Sequence, residues 1–84
     1  MPSPKLLKDM EKDELDNNYK ILVKWTIDRE AARTEKGKRE YLAGLGRIED
    51  YEIEMRNREY TTEMIHELYI AVVFDGELPT DFSH

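Results

Sequence analysis

The sequence predicts an all-α protein, built as a helical hairpin or a small three-helix unit that pairs into a dimeric helical bundle. Three observations carry this. Two long stretches, residues 39–58 and 61–74, return apolar side chains at the three-and-four spacing of one helix face. A third, DREAARTEK, is rich in helix formers. The composition, 38% charged and 39% hydrophobic, suits a helical bundle better than a disordered chain.

Taken in order, Ser3 and Pro4 read as a helix start, with Ser as cap and Pro in the first turn. Leu6, Leu7, Met10 and Leu15 then form a short amphipathic piece. Asp16-Asn17-Asn18 offers a break and a fresh cap.

The stretch YKILVKWTID carries two periods at once. Tyr19, Ile21, Val23, Trp25 and Ile27 alternate as a strand would, which keeps open an α+β alternative with a strand at 19–27. Helix is favoured, because helix formers follow and no partner strand is near. Such a helix has two apolar sides: Tyr19, Val23 and Ile27 on one, Ile21 and Trp25 on the other. A helix apolar on both sides is buried on both. In a chain this short the second side is expected to meet another chain.

Thr34 to Lys38 reads as a turn, with Gly37 ending the first long helix. In the second, Tyr41, Leu45, Ile48, Tyr51 and Met55 form the apolar stripe. Gly44 and Gly46 interrupt it at about 1 kcal/mol each relative to Ala, which points to close helix approach or a kink. GLGRIE has no third glycine and no preceding strand, so it is not a nucleotide loop. Met64, Ile65, Leu68, Tyr69 and Val72 mark a third helical segment, which could continue the second as one rod. The whole chain, 1–84, is expected to form a single helical domain, with 75–84 as a loose acidic C-terminal tail.

One motif suggests metal chemistry. Within TTEMIHELYIAVVFDG, Glu63 and His66 have the Glu-x-x-His spacing that di-metal helical bundles use. A dimer could supply two such pairs. Stepping about 100° per residue places both away from the stripe of Ile65, Leu68 and Val72. The expectation is therefore no metal and no cofactor. Two histidines, no cysteine and no nucleophile motif give no reaction a foothold, so a non-enzymatic protein is expected.

The net charge of −6 is unevenly placed. The last 24 residues hold five acids and no Lys or Arg, whereas residues 29–39 hold five bases, Arg29, Arg33, Lys36, Lys38 and Arg39, against two acids. Three binding readings follow. The first is a protein-binding module, an inhibitor or regulator of a larger (host) protein, with Ile21 and Trp25 at the interface; Trp is enriched among interface anchors, and a small, cysteine-free, charge-rich chain is phage-like in composition. The second is a nucleic-acid contact through the five bases, or a DNA mimic through the acidic end. The third is a dimeric carboxylate/His metal-binding bundle. The N-terminal segment MPSPKLLKDMEKDE has no long apolar run, so neither a signal peptide nor a membrane span is expected, and the cytoplasm is the expected location.

Overall fold

The computed structural model describes residues 6–74. They form a single 3₁₀ turn, Leu7–Asp9, and three α-helices: α1 (Lys12–Ala31), α2 (Glu35–Asn57) and α3 (Thr62–Val73). Among the described residues there is no strand, and no helix is long and apolar enough to cross a membrane. The all-α reading holds, and residues 19–27 lie wholly inside α1, which removes the strand alternative. Ser3, Pro4 and the tail 75–84 lie outside the described residues.

Helix α1 does not break at Asp16-Asn17-Asn18. It starts instead after Glu11 and runs unbroken for 20 residues. Asp and Asn are poor in helix interiors by only a few tenths of a kcal/mol, and the burial of Leu15 and Tyr19 on either side, both 0% exposed, outweighs that. Helix α1 ends at Ala31, before Gly37 is reached. The reversal is made by Arg33, which takes a left-handed φ of 53°. Thr34 then caps α2, its side-chain oxygen accepting from Gly37 N–H at 2.9 Å. Gly37 is thus a first-turn residue of α2, not a helix stop. It is required by proximity, since a Cβ there would sit 2.8 Å from the Arg29 carbonyl oxygen.

Helices α2 and α3 are not one rod. Glu59, at φ 69°, turns the chain, and Thr61 opens α3 in a reciprocal cap. Its hydroxyl accepts from Met64 N–H at 3.1 Å, and Met64 Sδ accepts from Thr61 N–H at 3.5 Å.

The core is one cluster: Leu15, Tyr19 and Val23 from α1, Tyr51 and Met55 from α2, Tyr60 from the connection, and Ile65 and Val72 from α3. Tyr19 and Tyr51 meet with ring centroids 6.4 Å apart, within the range where aromatic pairs add to area burial. Arg58 ties the N-terminal segment to this core, donating from Nη2 to the Leu7 carbonyl at 2.8 Å and from Nε to Glu54 at 2.8 Å. At 1.5 Å per residue, α2 is about 35 Å long and α3 about 18 Å. Helix α3 can therefore cover only about half of the α1–α2 hairpin.

Candidate protein-interaction surface

Helix α1 turns Tyr19, Val23 and Thr26 inward, and all three are buried. The period of 3.6 then carries Trp25 to the rim. Trp25 keeps 37% of its surface in solvent. The Arg29 guanidinium, one turn on, lies over its ring at 5.3 Å from the centroid. Such a contact holds both side chains in one geometry and is worth about 0.5–1 kcal/mol at an exposed site. Arg29 Nε is buried and has no hydrogen-bond partner among the described residues. Ile21, one turn before Trp25, is half-buried. The two residues singled out for an interface thus share one side of α1, with Trp25 the more accessible.

The five bases come together at the α1–α2 turn. Arg29 sits in the last turn of α1, Arg33 makes the reversal, and Lys36, Lys38 and Arg39 lie exposed in the opening turns of α2. The patch is not purely cationic. A groove at this end, 460 Å³, is lined by Arg33 and Lys38 but also by Glu30 and Glu35, with Thr34 and Tyr41. Two carboxylates offset two cations, which weakens the local field a phosphate backbone would feel.

Glu63 and His66 do not converge. Both are exposed on α3. His66, however, lines a 170 Å³ groove with Tyr19, Glu52, Arg56, Thr62, Ile65 and Tyr69, and Glu63 does not. Among the described residues no three His, Cys, Asp or Glu side chains are arranged to hold a metal ion. The rotation angle places His66 clear of the stripe; side chains of α1 and α2, Tyr19, Glu52 and Arg56, share its groove all the same.

That groove also holds a polar pair that local spacing does not reveal. Tyr19, fully buried, donates its hydroxyl to Glu52 at 2.9 Å. Burial first, and the neighbouring carboxylate second, push the phenol well above its usual value. Tyr60 repeats the arrangement, donating to Asp16 at 2.6 Å with Lys12 bridged to the same carboxylate at 3.0 Å. Its phenol is likewise held high, by burial and then by that hydrogen bond. A tyrosine kept protonated is a fixed donor that pins one helix to another. It is not an activated nucleophile.

A second exposed apolar face lies on α2. Leu42 is 58% exposed, Ile53 49% and Leu45 42%. Leu45 had been placed in the core stripe with Tyr41, Ile48, Tyr51 and Met55; it lies about 100° from Gly44, outside the contact with α1. Leu42 and Ile53, eleven residues apart, fall three turns from each other on one line, a spacing readable in the sequence. No protein-family model, no curated protein and no solved structure matches this chain.

Proposed function

We propose that this protein is a non-enzymatic protein-binding module that regulates a larger partner. The observation that carries the reading is the Trp25–Arg29 ledge: a half-exposed tryptophan held by a stacked guanidinium on the rim of α1. Trp and Arg are the residue types most enriched in binding hot spots, and ordering them before contact lowers the entropy cost of association. The site fits a partner that presents an apolar pocket for the indole flanked by a carboxylate for Arg29. Ile21 extends the apolar contact along the same helix.

The Trp25→Ala variant and the wild type are used to capture proteins from a lysate of the native host, and the protein retained by the wild type alone is purified. It is then titrated while the fluorescence of Trp25, the sole tryptophan, is followed. The expected result is a blue shift on binding and a loss of at least about tenfold in affinity for Trp25→Ala, with helicity unchanged. Equal affinity, or an unshifted spectrum, overturns the reading.

A second reading, nucleic-acid binding at the α1–α2 turn, is favoured by one observation: the fold gathers all five bases at one end of the hairpin.

A further inference from the structure

We infer that the outer face of α2 is a self-association surface, occupied by a second copy of this chain in antiparallel orientation with its two-fold axis at Gly46. The inference concerns a different face from the Trp25 ledge and does not depend on it. It starts from a glycine without an internal reason. Gly46 lies mid-helix, where glycine is unfavourable, yet a Cβ there would meet nothing within 4 Å. Gly44, two residues earlier, is filled by Thr26; Gly46 points about 200° away from it, to the outside.

Around Gly46 that outer face is mixed, two large apolar side chains standing among charges. Leu42 and Ile53 flank it, 58% and 49% exposed. Gly46 is also the central residue of Glu35–Asn57, with residues 35–45 before it and 47–57 after it. The charges on this face differ between the two halves. Arg39 stands in the first half, Glu49 and Asp50 in the second, all exposed. None of the three forms an ion pair among the described residues.

A two-fold axis at Gly46 converts these features into complementarity. Gly46 of each chain then faces Gly46 of the other, which lets the two backbones approach, and Leu42 of each packs between Glu49 and Ile53 of the other. Arg39 of each chain faces Glu49 and Asp50 of the other. Every contact occurs twice, as an isologous interface requires. A parallel pairing would set Arg39 against Arg39 and Glu49 against Glu49, which disfavours it.

Sedimentation equilibrium of the whole chain tests this. Wild type is expected to dimerise with rising concentration. Gly46→Gln, which keeps or raises helicity by circular dichroism, should weaken dimerisation by at least about tenfold. Arg39→Glu and Glu49→Arg should each weaken it as homodimers, and an equimolar mixture of the two should recover it, because both ion pairs re-form in the mixed dimer. A wild type that stays monomeric at millimolar concentration overturns the inference. So does a dimer indifferent to Gly46→Gln, or a mixture no tighter than its components.

Discussion

Thr26 and Gly44 lock α1 to α2: a Cβ at position 44 would overlap the Thr26 hydroxyl and lie 3.0 Å from its methyl. Thr26 is 2% exposed and donates that hydroxyl to the Leu22 carbonyl at 2.7 Å. Its β-branched side chain is stiff at χ1, and the bond to the Leu22 carbonyl selects the rotamer, so it cannot swing away without breaking that bond. The glycine is what lets the two helices approach at this level.

The first prediction contrasts the two glycines of α2 in dilute protein. Gly44→Ala should lose up to about 2 kcal/mol, because overpacking of about 1–3 kcal/mol is offset by a helix-propensity gain of only about 1 kcal/mol. Gly46→Ala should gain up to about 1 kcal/mol, since the added methyl meets open space. Thermal melts read the difference, at about 4–8 °C per kcal/mol for a domain of this size. Thr26→Ala combined with Gly44→Ala should cost less than the two single losses added together. Equal effects at 44 and 46 would remove close approach as the explanation.

Alkaline pH should destabilise the fold through its buried phenols; burial raises Tyr51, and Tyr19 and Tyr60 are raised by burial and by a carboxylate partner as well. Tyr19 and Tyr60 both have their titration raised above the ordinary 10.0 in the folded chain. The unfolded chain therefore releases these protons first. Their contribution is fully present below pH 10 and declines as pH rises above it. Melting temperature should fall above pH 10, and Tyr19→Phe/Tyr60→Phe should fall less steeply. At neutral pH the same double variant should be weaker by about 1 kcal/mol per lost hydrogen bond. Parallel pH profiles for the two proteins would show that other groups set the alkaline limit.

Glu59→Gly should stabilise the chain. Glu59 holds a φ of 69°, a conformation glycine adopts without steric penalty. The side chain is exposed, so little packing is lost. The expected gain is about 0.5–1 kcal/mol, measured by chemical denaturation. A loss would mean that the Glu59 side chain contributes more than its backbone strain costs.

For the α1–α2 turn, a nucleic-acid role predicts a steep fall in affinity with salt. An Arg33→Ala/Arg39→Ala variant should then lower the log–log slope by about two, one for each phosphate contact removed. The mixed charge of that end, with Glu30 and Glu35 beside Arg33 and Lys38, predicts weak binding at physiological salt. Fluorescence anisotropy with a labelled duplex across a salt series measures it. Binding that ignores salt excludes this role for the turn.

The helical class and the position of α3 follow from spacing alone. Ile65, Leu68 and Val72 repeat where a helix needs them, and Thr61 caps where the pattern begins. The burial of Tyr19, Val23, Tyr51 and Met55 follows equally, because a 3.6-residue period names a face without reference to any partner. Gly44 was recognisable as a site of close approach for the same local reason. What neighbours a face is another matter. Leu45 lies off the core face, and Gly46 beside Gly44 meets nothing, because the rotation between α1 and α2 decides which flank of the stripe is covered. The helix boundaries also depended on contacts between distant residues. Asp16-Asn17-Asn18 remains helical because Tyr60 reaches back to Asp16 and the core closes over Leu15 and Tyr19. Gly37 ends nothing, because Arg33 takes the left-handed turn first. Local spacing sets which residues form helices and which sides are apolar; only the packing of three helices of unequal length decides which of those sides stay open.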